Sequence, residues 1–189
     1  MQPPRNHLHL LHPDNTLLVV IDMQEPFLGA IFERERLIKN VTTLMRGMNV
    51  LRIPVVTTTQ YAKRMGGVIP EIRQCLPPLV TPFDKMSFSC MASPAFASEI
   101  QRSGRKQIVL CGVESHICVS QTAHDLIAAG FQVHLAVDAI SSRTEVNYRV
   151  GVDKMRQGGV ILGTVESVLY ELLYEAGTPE FREVLSLVK

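Results

Sequence analysis

Apolar and polar positions change period repeatedly along this chain. Thr16–Asp22, TLLVVID, is a run of β-forming residues that ends in an acid, the pattern of a strand buried on both faces. Ile31–Leu51 follows with a helical period that puts Leu37, Val41, Leu44, Met45, Met48 and Leu51 on one face. Pro54 breaks that pattern, and Val55–Thr59 predicts a second strand. A loop carrying Gly66, Gly67, Pro70, Pro77 and Pro78 leads to a short third strand over Phe83–Phe88. Pro94–Ser103 predicts a helix stopped at Gly104, and Gln107–Gly112 a fourth strand. Ser115–Ala129 reads as a helix closed by Gly130, and Gln132–Asp138 as a fifth strand. Ser142 and Glu145 have capping-box spacing ahead of a helix that runs to Gln157. Val160–Gly163 is a sixth strand, Glu166–Glu175 a helix, and Thr178-Pro179 opens a last one.

Strands that alternate with helices and are apolar almost throughout predict a mostly parallel sheet covered on both faces. Length and pattern predict one domain over residues 1–189, with residues 1–14 as a loose N-terminal segment. Ligands of such sheets bind beyond the carboxyl ends of the strands, where the strand order reverses. Those positions hold Asp22, Gln24, the segment around Gln60-Tyr61, Gly112–Cys118 and Asp138.

Composition narrows the function classes. Among 189 residues, 46% are hydrophobic, enough for a real core. A net charge of +1 lacks the electrostatic footprint of a general nucleic-acid binder. There is no apolar run long enough to span a membrane, and no long apolar stretch follows Arg5 as a secretory signal would require. Cys75, Cys90, Cys111 and Cys118 form no CxxC pair. Together these features predict a cytoplasmic protein without membrane or nucleic-acid partners. No glycine-rich phosphate loop is present, and His7, His9 and His12 fall in the terminal segment rather than in a metal-ligand pattern. The expectation is no metal and no cofactor.

Three side chains invite chemistry. Cys118, in GVESHICVSQTAHD, falls in the first turn of a helix, where the dipole and unpaired N–H groups favour a thiolate. A small buried helix residue facing the sheet is an equal alternative. Asp22 closes a strand, either as a turn-capping acid or as a reactive one. Lys85 stands between Phe83, Met86 and Phe88. It either sends its head to water or is buried beside a carboxylate. Ser115 lacks the second glycine of G-x-S-x-G, and His116, two positions from Cys118, is not expected to face it.

VIDMQEPF, DKMSFS and CGVESHICVSQTAHD resemble the three signature segments of the isochorismatase-like cysteine hydrolases, and AGFQVHLAVDAISSR is similar to that family's fifth strand and next helix. The resemblance extends from about Thr16 to the last helix. It implies a three-layer α/β fold with a six-stranded parallel sheet and helices on both faces. It also implies a triad of Asp22, Lys85 and Cys118, a cis peptide between Val113 and Glu114, an oxyanion hole from the backbone N–H groups of Glu114 and Cys118, and a homo-oligomer. Asp22 would take the Cys118 proton, and the thiolate would attack an amide, carbamoyl or related carbon, giving a thioester that water then cleaves. Gln24, Phe27, Tyr61 and Ile117 are expected to line the pocket by their placement.

Nicotinamidases of the same superfamily carry an Asp-x-His metal site after the second strand. TTTQYAKRMGGVIPEI holds no histidine there, so zinc is not expected. QYAKRMGGVIPEI and MRQGGVILGTVES resemble the uncharacterised isochorismatase-domain hydrolases more closely. Two competing functions stay open: a vinyl-ether hydrolase with Asp22 as general acid, and a catalytically silent oligomeric scaffold.

Overall fold

Every residue of the first strand, β1 (Thr16–Ile21), is buried, in the computed structural model that describes residues 9–78 and 80–189. Its side chains alternate between two cores. Leu17, Val19 and Ile21 enter one apolar cluster and Leu18 and Val20 the other, as a period of two requires when both faces are covered. The chain continues through α1 (Glu25–Leu28), α2 (Arg34–Val50), β2 (Val55–Gln60), α3 (Ala62–Met65), α4 (Pro70–Arg73), β3 (Phe83–Lys85), α5 (Pro94–Arg102) and β4 (Gln107–Val113). It ends with α6 (Ser120–Ala128), β5 (Gln132–Ser141), α7 (Glu145–Gln157), β6 (Ile161–Gly163), α8 (Val165–Leu173) and α9 (Pro179–Val188).

The six strands form one parallel sheet in the order β3-β2-β1-β4-β5-β6. From β1 the chain steps outward through β2 and β3, then returns to β4 on the other side and steps out again. The crossover β1→β2 runs through α2, whose Leu37, Val41, Leu44 and Met48 lie in one cluster. The oppositely directed steps run through α5, α6 and α7, whose Phe96, Ile100, Leu126 and Met155 lie in the other. Steps in opposite directions use opposite faces when all crossovers share one hand. The expected α/β fold, a six-stranded parallel sheet between two helical layers, is what the chain forms.

The reversal lies between β1 and β4, so their carboxyl ends open side by side. They approach closely: Gly112, at φ 107°, pairs with Ile21, and a Cβ there would sit 2.1 Å from the Ile21 carbonyl oxygen. Only glycine combines that backbone angle with that contact.

Several boundaries differ from the pattern reading. The third strand stops at Lys85 instead of Phe88. The fifth runs on to Ser141, because its pairing with β4 jumps from Leu110↔Leu135 to Gly112↔Ile140. Two residues on β4 thus span five on β5, a bulge. Asp138 sits in it as a brace: its carbonyl accepts from Asn40 Nδ2 at 2.8 Å and its carboxylate from the Val165 N–H at the start of α8. With β5 longer, α7 begins later, and Thr144 rather than Ser142 caps it, accepting from the Asn147 N–H at 3.2 Å.

The N-terminal segment is not loose over residues 11–14. Leu11 is fully buried, its N–H bonds Glu171 Oε2, and the His12 N–H bonds Gln107 Oε1 at 2.7 Å. Residues 1–8, including His7, lie outside the described residues. Among the described residues no helix is long and apolar enough to cross a membrane.

Candidate active site

Asp22 is the first residue beyond β1 and takes a left-handed conformation, φ 51°. Aspartate tolerates this region better than most residues. Its side chain is buried, and both carboxylate oxygens are held. Thr58 Oγ1 donates to Oδ1 at 2.7 Å, and Lys85 Nζ donates to Oδ2 at 2.6 Å. The Lys85 and Asp22 side chains are 1% and 2% exposed. Lys85 reaches Asp22 from the edge strand β3, across β2, where it pairs with Gln60. On the way its ammonium also donates to Gln60 Oε1 at 2.6 Å. Burial is the largest single influence and lowers the lysine pKa, but the Asp22 charge, the Cys90 and Cys118 sulfurs and the Asp22 hydrogen bond together outweigh it and the pKa is raised, so the side chain stays an ammonium.

Cys118 comes from β4. The Val113–Glu114 peptide is cis, and Ser115–Val119 then form a π-helical turn that leads into α6. The Glu114 carbonyl accepts from the N–H groups of Ile117 and Val119 at 3.0 and 3.2 Å. Helix α7 packs against this turn at Gly151, where a Cβ would lie 2.9 Å from the Ser115 and His116 backbone. The turn is therefore fixed from behind.

Asp22 and Cys118 line one cleft with Phe27, Gln60, Phe88, Val113, Glu114 and Ile117. About 320 Å³ of space lies between these residues, the open mouth toward solvent included. Burial pushes the Cys118 thiol up to about 12, and the Asp22 carboxylate raises it further than Lys85 lowers it. The expectation that a helix terminus alone would favour a resting thiolate is thus reversed. One short turn does not outweigh desolvation and a neighbouring anion. The same geometry gives the thiol a carboxylate to receive its proton.

Of the expected pocket residues, Phe27 and Ile117 line the cleft. Gln24 and Tyr61 do not. Gln24 is fully buried behind it, its amide bonded to the Gln60 N–H at 2.7 Å and to the Gly66 carbonyl at 2.6 Å. Tyr61 is exposed, at φ 48°, and is not among the lining residues. Sequence reasoning placed the segment around Gln60 at the cleft without singling out its side chain, and missed Phe88 and Thr58. For Thr58 the available signal was the threonine run on a strand next to β1.

The remaining candidates are structural. His116 Nδ1 lies 2.9 Å from Ser142 Oγ, and the ring does not line the cleft. Cys90 is buried and pushed up to about 11 by desolvation. Cys111 is buried within the sheet, and all four cysteines are unpaired. Among the described residues no group of three or more His, Cys, Asp or Glu side chains is arranged to hold a metal ion.

The family model of the Isochorismatase domain matches residues 16–167. The secreted isochorismatase effector Isc1 of Phytophthora sojae is 39% identical over 183 residues, which cover 95% of this chain and 87% of that protein. Among solved structures, the MAR1 ribonuclease of Caenorhabditis elegans superposes with a TM-score of 0.88 at 34% identity, covering 95% of this chain and 92% of that one. The YcaC gene product of Escherichia coli, an octameric hydrolase of unknown specificity, gives a TM-score of 0.88 at 22% identity over 99% and 92% of the two chains.

Proposed function

The chain belongs to the Isochorismatase domain family, and we propose that it is a metal-independent cysteine hydrolase acting on small amide, carbamoyl or related C–N compounds. The observation that carries this reading is the Asp22 carboxylate, anchored by Thr58 and Lys85 and facing the Cys118 thiol in one cleft. A buried thiol with a raised pKa is a poor nucleophile until a base takes its proton. Asp22 is that base. Sγ bonds to the carbonyl carbon as the proton passes to Asp22, and the C–N bond breaks as Asp22 returns the proton to the leaving nitrogen. Water then adds to the thioester, giving the acid and restoring the thiol. Lys85 keeps Asp22 ionised and oriented throughout. The Glu114 and Cys118 N–H groups serve the developing oxyanion.

Cys118→Ala is the direct test. It should abolish turnover of any small amide the wild type hydrolyses, and the wild type should show an acyl mass on the Cys118 peptide after rapid quenching. Full turnover by the alanine variant would rule out covalent catalysis, and a vinyl ether cleaved equally by both proteins would transfer the function to Asp22 as a general acid. No turnover by either protein, with an unreactive Cys118, would favour the silent scaffold. A ribonuclease role like that named for the C. elegans protein finds no cation among the described cleft-lining residues to meet a phosphate.

Self-association is part of the same reading, supported by the octameric state of the E. coli neighbour. A monomeric mass by light scattering at micromolar concentration would reject it. Cytoplasmic residence is supported by the four unpaired cysteines. The P. sojae relative, named as secreted, makes cell fractionation the deciding measurement.

A further inference from the structure

Building on the hydrolase reading, we infer that the cleft takes a small uncharged acyl compound with a short apolar tail and excludes carboxylate-bearing ones. The walls are apolar: Phe27, Phe88, Val113 and Ile117. The cleft is small, below the roughly 300–1,000 Å³ typical of small-molecule pockets once its open mouth is left out. No lysine, arginine or histidine appears among its described lining residues.

The cation behind the cleft is fully engaged. An ammonium has three N–H donors. Those of Lys85 have three protein acceptors: Asp22 Oδ2 and Gln60 Oε1 at 2.6 Å each, and the Ser87 carbonyl at 3.4 Å. The cation nearest in the hydrogen-bond network on the other side, Arg143, donates through Nε to Glu114 Oε2 at 3.1 Å, and its own N–H bonds the same oxygen at 3.0 Å. A substrate carboxylate brought here would lose its water, meet no cation among the described lining residues and face the Asp22 anion. An uncharged acyl group meets apolar walls, with only its reacting carbonyl at the polar floor.

Iodoacetamide and iodoacetate test this without turnover, because they are nearly equal in size and differ by one charge. In both reactions the Cys118 thiol loses its proton to solvent and the thiolate displaces iodide. The rates are read from the mass of the Cys118 peptide on the whole protein. The amide-over-acetate ratio should exceed that of a free cysteine peptide at least tenfold. Phe88→Lys, at an exposed wall position, adds a cation and should lower that ratio about tenfold. In hydrolysis, kcat/KM should rise about fourfold per methylene from acetamide to butyramide (about 0.8 kcal/mol each), with succinamate left untouched.

A wild-type ratio equal to the peptide's, or succinamate turned over as fast as butyramide, would overturn the inference. Strong discrimination in alkylation with no amide hydrolysed would uphold the cleft chemistry and reject the hydrolase reading. Amide turnover without charge discrimination would do the reverse.

Discussion

Replacing Lys85 with methionine removes a charge while nearly preserving shape, and leaves Asp22 buried with Thr58 alone. At 2.6 Å, with an effective dielectric of about 20, the pair attracts by roughly 6 kcal/mol. Desolvation costs several kcal/mol per ion. The intact pair is therefore close to break-even against apolar residues. The broken pair keeps one penalty without the attraction, a loss of about 3–5 kcal/mol. That is a large part of the roughly 5–15 kcal/mol that holds a domain folded. Asp22→Asn, which tolerates the left-handed backbone, should cost a similar amount by stranding the ammonium. The double variant carries neither stranded charge and should recover about 2 kcal/mol or more relative to the sum of the single losses. The chain has no tryptophan, so urea unfolding followed by far-UV circular dichroism is the suitable assay. Additive losses, or a Lys85→Met cost below about 1 kcal/mol, would refute a buried, coupled ion pair.

Three further outcomes follow from individual contacts. Thr58→Val strips Asp22 Oδ1 of its donor and should cost about 1–3 kcal/mol; it should lower kcat with little change in KM, and Thr58→Ser should restore it. Because the Cys118 thiol is raised to about 12, its alkylation rate should climb steadily with pH from 7 to 10; levelling off near pH 8–9, as an ordinary thiol would, contradicts the burial argument. His134 is buried with no partner for Nε2 among the described residues, and burial lowers its pKa from 6.5 to about 4. The unfolded chain therefore binds more protons between these values, so the contribution of neutral His134 is complete above pH 6.5 and is lost as pH falls toward 4. It has a ceiling of about 3 kcal/mol. His134→Leu should flatten that acid limb in urea midpoints measured from pH 7 to 4, and an unchanged slope would count against it.

How far the site could be read from sequence depended on where each residue sits in the sheet. Asp22 and Cys118 were legible because they terminate β1 and follow β4, the two most regularly apolar strands, and the reversal of strand order lies between them. Lys85 was not legible on physical grounds. Its strand has three residues and a mixed pattern, and its burial depends on reaching across Gln60 to a partner 63 positions earlier, which no local period encodes. Its assignment came from the family resemblance.

The two misplaced pocket residues share one cause. Period-two reasoning carries a side-chain direction past the end of a strand only while the backbone stays extended. At Asp22 and Tyr61 φ is positive, 51° and 48°. The turn at Asp22 comes just before Gln24, whose amide is held by Gln60 and Gly66, and Tyr61 itself takes that conformation and is exposed. The run Thr57-Thr58-Thr59 shows the complementary limit. Composition marks all three as strand residues, yet they bond in different directions: Thr57 to the Val20 carbonyl, Thr58 to Asp22 and Thr59 to Asp84. Their roles are set by the register Val20↔Thr57 and Thr58↔Phe83 between neighbouring strands. That register is fixed by the whole sheet, because a slip of one residue would turn every side chain to the other face. The Asp22 carboxylate was therefore visible from its strand, whereas the hydroxyl that bonds it is defined only once the strands pair.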